Sequence, residues 1–147
     1  MTKKAPLLIF MIMLISANVF AQQWMKNLNE AETKASSEDK NILLVFSGSD
    51  WCVPCMKLEK FIWQSDEFKS FSEDHYVLLR ADFMKQKKNK LSREQEAYNK
   101  QLAEKYNPNG YFPFVVILNE NGEVLGHTGY KNIPPKKYIE ELLALEK

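Results

Sequence analysis

An α/β fold, with a mixed central sheet and helices on both faces, follows from three features of the chain. Two apolar runs, Ile42-Leu43-Leu44-Val45-Phe46 and Phe114-Val115-Val116-Ile117-Leu118, are too short for helices and carry the continuous pattern of strands covered on both faces. Segments with helical spacing alternate with such runs. The length of 147 residues, with 45% hydrophobic and 27% charged, suits one domain able to bury its own core.

Trp24, Leu28, Ala31 and Ala35 recur at helical spacing, predicting an amphipathic helix over 24–38. The first buried strand follows at 42–46. Ser47-Gly48-Ser49-Asp50 breaks it, and the next helix places Leu58, Phe61 and Ile62 on one face. Tyr76-Val77-Leu78-Leu79-Arg80-Ala81 is a second strand. Ser92 with Gln95 three residues on forms a capping box, opening a helix that carries Tyr98, Leu102 and Tyr106. After the strand at 114–118, Asn121-Gly122 turns the chain into Glu123-Val124-Leu125. Pro134-Pro135 starts a last helix with Tyr138, Ile139, Leu142 and Leu143 facing inward. The order is α-β-α-β-α-β-β-α.

Composition excludes several classes. Five Gly, six Pro and no low-complexity tract rule out collagen-like and mostly disordered chains. A formal charge of +1 provides no overall field for nucleic acid. Met84-Lys85-Gln86-Lys87-Lys88-Asn89-Lys90 is locally basic, with two readings: a surface for an acidic partner, or a solvated connector diluted by Glu94, Glu96 and Glu104. The connector is the plainer one.

Residues 1–21 have the form of a cleaved signal. Lys3 and Lys4 precede the apolar run 7–15, and Val19-Phe20-Ala21 has the small-x-small spacing of a cleavage site. The run is shorter than the ~20 residues of a spanning helix, which favours a cleaved signal over the alternative, an uncleaved N-terminal anchor. No cysteine stands at the cut to take a lipid. An exported protein of residues 22–147, periplasmic in a Gram-negative cell, is expected. Its compartment is oxidising, where a cysteine pair cycles or stays bridged.

The chemistry is in Trp51-Cys52-Val53-Pro54-Cys55. Two cysteines separated by two residues, between a buried strand and a helix, form the signature of a redox dithiol. A thiol at a helix N-terminus faces unpaired N–H groups and the positive end of the dipole, which favour the thiolate that attacks disulfides. Cys55 lies one turn in, placed to resolve the mixed disulfide, and Pro54 stiffens the first turn without sacrificing a hydrogen bond. A purely structural bridge across two residues gains little denatured-state entropy. A zinc knuckle needs ligands beyond His75 and His127, which are distant in sequence, and covalent haem needs His where Met56 stands. No metal and no cofactor are expected.

The Trp51-Cys52-Val53-Pro54-Cys55 motif, with Phe112-Pro113 ahead of the third long strand, resembles the thioredoxin superfamily, and within it the exported thioredoxin-like proteins of bacterial envelopes. The resemblance spans essentially all of 24–147. It implies the thioredoxin fold, Cys52 as attacking and Cys55 as resolving thiol, and a cis Pro113 against the dithiol. It also implies a substrate-facing rim of Trp51, Phe112 and Pro113, although Phe112 reads equally as a core aromatic. Thioredoxin's buried Asp has no counterpart in Leu44-Val45-Phe46. Glu59, four residues after Cys55 and leaning back along the helix, is a candidate proton relay, with a solvated surface glutamate as the alternative. Met56 stands where thioredoxin has Lys.

Strong oxidants of the superfamily tend to carry His between the cysteines; Val53-Pro54 resembles the reducing members. The expected activity is therefore thiol–disulfide exchange with protein thiols and disulfides, in the reducing direction, with electrons from a membrane-embedded donor. The competing reading is a non-catalytic interaction module, which has no need for both thiols beside Pro113.

Overall fold

The computed structural model describes residues 22–147. The expected signal at 1–21 lies outside the described residues. The chain runs β1 (Trp24–Met25), α1 (Leu28–Glu38), β2 (Asn41–Ser47), α2 (Val53–Leu58), a π-helical turn (Glu59–Trp63), α3 (Asp66–His75) and β3 (Tyr76–Asp82). A 3-10 turn (Lys87–Asn89), α4 (Arg93–Tyr106), β4 (Phe114–Leu118), β5 (Val124–Thr128) and α5 (Pro135–Leu145) follow.

The five strands form one sheet in the order β1-β3-β2-β4-β5. β2 is central, parallel to β3 and antiparallel to β4, so the sheet is mixed as expected. Alternate β2 side chains feed two cores. Ile42, Leu44 and Phe46 pack with Leu28, Ala31, Ala35, Leu102 and Tyr106 from α1 and α4. Leu43 and Val45 pack with Leu58, Ile62, Trp63, Phe68, Tyr138 and Leu142 from the opposite layer. Burial on both faces leaves the continuous apolar signature by which this strand is legible.

Several expectations need correction. The helix expected over 24–38 starts at Leu28, because Asn27 caps it, its Oδ1 accepting the Glu30 N–H at 3.1 Å. Trp24 instead lies on β1, paired with Leu78, and packs edge-on against Trp63 in the other core. Phe61, expected to face inward with Leu58 and Ile62, is exposed: the π turn shifts the helical phase and buries Trp63 in its place. α3 had no counterpart in the sequence reading; Ser65 caps it by accepting the Phe68 N–H at 3.2 Å.

At the hairpin, only Gly122 takes a positive φ (75°), while Asn119 Oδ1 accepts the N–H groups of Asn121 and Glu123. Leu143, also expected inward, sits at the helix margin and is exposed. Among the described residues no helix is long and apolar enough to cross a membrane.

Candidate active site

β2 ends at Ser47, and Gly48-Ser49-Asp50 carries the chain from the C-terminal end of this central strand into Trp51 and Cys52. Cys52 is the N-cap of α2, extended in backbone, with Pro54 in the first turn. Cys52 and Cys55 are bonded to each other, Cα atoms 5.2 Å apart, and both are buried. The main chain supplies their hydrogen bonds. The Cys55 N–H points at Cys52 Sγ at 3.3 Å, and the Gly48 N–H at Cys55 Sγ at 3.5 Å. The Gly48 carbonyl accepts the Cys52 N–H at 2.8 Å. Donors aimed at both sulfurs favour thiolate over thiol once the pair is reduced.

Trp51 is clamped. Its Nε1–H donates to the Phe83 carbonyl at 2.6 Å, Phe112 meets it edge-on with centroids 5.5 Å apart, and Lys85 Nζ lies 3.8 Å from its ring centroid. Its indole lies over Gly48, where an added Cβ would come within 2.3 Å. Phe112 also stacks edge-on with Phe83 and packs against the α1/α4 core, so it bridges core and motif. The Phe112–Pro113 peptide is cis, as the resemblance implies, and Pro113 is buried.

Phe46 is fully buried in the α1/α4 core beside Phe114, so no acid occupies the end of β2. Glu59 lies one turn beyond Cys55; its carboxylate takes Arg80 Nη2 at 2.6 Å and Gln64 Nε2 at 2.6 Å. Arg80 in turn lies over the Trp24 ring at 4.2 Å.

Two acids that the sequence reading did not single out organise the motif. Asp82, level with Ser47 across the β2–β3 ladder, accepts the Ser49 hydroxyl, the Ser49 N–H at 3.0 Å and the Phe83 N–H at 3.0 Å. Asp50 accepts the N–H groups of Lys85 (3.0 Å) and Gln86 (2.9 Å) and the Asn89 side-chain amide (3.1 Å). The Lys85 N–H foremost, with Gln86 and Asn89, holds the Asp50 carboxyl below its ordinary 3.8. Gln86 also donates to the Asp50 carbonyl at 2.9 Å. The lysine segment is thus not a free connector but is fastened beside Cys52. Partners 33–39 residues apart leave no periodic trace; the one local signal was an Asp directly before the Trp-Cys pair.

The thioredoxin-like family model matches residues 23–120. The chain is 36% identical over 120 residues to the Disulfide bond reductase DsbH of Chlamydia pneumoniae, covering 82% of this chain and 70% of that protein. It is 28% identical over 101 residues to the Thioredoxin-related protein DsbJ of the same organism, covering 69% of this chain and 28% of that one. A solved DsbH oxidoreductase superposes with a TM-score of 0.77 at 31% identity, over 84% of this chain and 83% of that one. With its sheet order, its bonded Trp-Cys-x-x-Cys motif and these relatives, the chain belongs to the thioredoxin-like family and is a thiol–disulfide oxidoreductase.

Proposed function

We propose that the chain is an exported reductase of protein disulfides, with Cys52 attacking and Cys55 resolving. The observation that carries it is the Cys52–Cys55 pair at the start of α2, its sulfurs met by main-chain donors and flanked by an exposed Val53 and the clamped Trp51. The Cys52 thiolate attacks one sulfur of a substrate disulfide, forming a mixed disulfide and releasing one substrate thiolate. Cys55, after losing its proton, attacks Cys52 Sγ and releases the second thiolate. The substrate gains two electrons and two protons, and the pair is left oxidised, the state seen here. An external dithiol donor, which we place in the membrane, must then return two electrons. Glu59, one turn beyond Cys55 and held by Arg80 Nη2 at 2.6 Å, is the acid we assign to take the Cys55 proton. Trp51, Phe112 and Pro113 form the rim on which the substrate chain rests.

The uncharged Val53-Pro54 between the cysteines and the likeness to a disulfide bond reductase support the reducing direction. The test is equilibration of the pair against graded glutathione buffers. A potential near that of thioredoxin, about −270 mV, is expected; one near about −120 mV would mean a disulfide donor. Substrate trapping runs alongside. Cys55→Ser should accumulate mixed disulfides through Cys52, and Cys52→Ser should not. If neither variant traps a partner, the non-catalytic interaction module takes over as the reading.

A further inference from the structure

The fastening of the lysine segment beside Cys52 has a consequence for substrate choice. Lys85, Lys87, Lys88 and Lys90 stand on a short stretch held at three points to Asp50, two residues ahead of Cys52. Lys85 lies against Trp51 itself. On the other side of the pair, Lys57 shares the outer face of α2 with the exposed Val53 and Met56. Among the described residues none of these five lysines makes an ion pair.

The nearby acids offset this charge only in part. Glu59 is balanced by Arg80, while Asp50 and Asp82 take neutral donors and keep their charge, two negatives against the five lysines. Glu94 and Glu96 lie in the first turn of α4, where the helix dipole favours them. The whole chain carries only +1, so the positive field is local to the dithiol rather than a property of the protein at large.

We infer that this face selects disulfides in protein segments whose cysteine is flanked by acidic side chains, with an apolar neighbour against Val53 and Met56. The inference rests on the oxidoreductase reading and names its substrate class. Complementary charge acts mainly on the encounter rate, where steering gives roughly 10–10³-fold and fades with salt. A protein segment fits better than a lipid surface because Lys85 lies against Trp51 and the segment is tied to Asp50, two residues before Cys52.

The experiment uses the full chain recycled by dithiothreitol. Three disulfides serve as substrates: an uncharged hydroxyethyl disulfide, and two peptide disulfides identical except for glutamates or lysines flanking the cysteine. At low salt, kcat/KM for the acidic peptide should exceed that for the basic one by roughly tenfold or more, and the ratio should fall toward one in high salt. Lys87→Glu together with Lys88→Glu should lower or invert the ratio. A ratio near one at low salt, with the uncharged disulfide turned over, overturns the inference and leaves the oxidoreductase standing. Failure to turn over any of the three brings down both. Equal peptide rates with tight binding to anionic vesicles would reassign the lysines to a membrane surface.

Discussion

Gly48→Ala is the substitution for which the structure makes the sharpest demand. A Cβ at this position would lie 2.3–2.5 Å from three atoms of the Trp51 indole, far inside van der Waals contact. The indole cannot swing away freely. It would have to release its hydrogen bond to Phe83, its edge contact with Phe112 and its contact with Lys85. Those are worth about 1 ± 0.5, 0.5–1.5 and 0.5–1 kcal/mol respectively. Replacing Gly also restricts the unfolded chain, returning about 0.4–1 kcal/mol, and the backbone of Gly48 is not in the left-handed region. The net expectation is a loss of about 1–3 kcal/mol in urea denaturation of the oxidised protein, with a raised KM for peptide disulfides. The control inverts the sign. In a Trp51→Ala background the obstacle is gone, and Gly48→Ala should be neutral or stabilise by up to about 1 kcal/mol. Equal destabilisation in both backgrounds would refute the clamp, since the cost would then come from the backbone and not from Trp51.

Glu59→Gln should slow the resolving step at neutral pH by roughly a hundredfold, the low side of general-base effects, and the rate should recover above the pH where Cys55 ionises unaided; an unmoved pH profile in rapid-mixing kinetics would leave Glu59 only its pairing with Arg80. That half-exposed pair is itself worth no more than about 1 kcal/mol. Restoring an acid at the end of β2 by Phe46→Asp should leave the chain largely unfolded by circular dichroism. Emptying a buried Phe site costs about 3–5 kcal/mol before any charge is buried, against a total stability of about 5–15. Docking of the lysine segment should depend on pH through Asp50. Its carboxyl is held below 3.8, so its contribution is full above that value and is lost as pH falls through the depressed one. The Lys85 and Gln86 amide resonances should therefore stay constant from neutral pH to about 4.5 and move only in stronger acid; movement between pH 5 and 7 would contradict the assignment.

What could be read in the sequence was whatever leaves a local mark. Ile42–Phe46, Tyr76–Leu79 and Phe114–Leu118 are apolar on consecutive residues because helices cover both faces of the sheet, and that pattern survives without knowledge of the partners. The cysteine pair, its place between strand and helix, and Pro113 are equally local. Trp24 misled because it sits four residues before Leu28 at helical spacing, yet packs against Trp63 and Arg80 on the opposite side of the sheet. Phe61 misled because an α-helical phase was carried through a π turn. The roles of Asp50 and Asp82 were invisible for a different reason: Asp50 meets Lys85, Gln86 and Asn89, and Asp82 meets Ser49, across chain separations of 33–39 residues, where spacing says nothing.

The two halves of the site are therefore built by different means. Around the sulfurs, the contacts come from the backbone of Gly48, Cys52 and Cys55, and depend on the strand-to-helix turn rather than on side-chain identity. Around Trp51, they come from side chains and a segment delivered from beyond β3, and Asp50 is the knot between the halves. Exchange chemistry needs only the first half, so it can persist while the segment at 84–90 varies. The selection among disulfide-bearing chains inferred above draws on the second, since its Lys85 lies against Trp51 and its backbone is tied to Asp50, two residues before Cys52. A change there should move KM and salt dependence while leaving the potential of the pair nearly where the turn and its N–H donors set it.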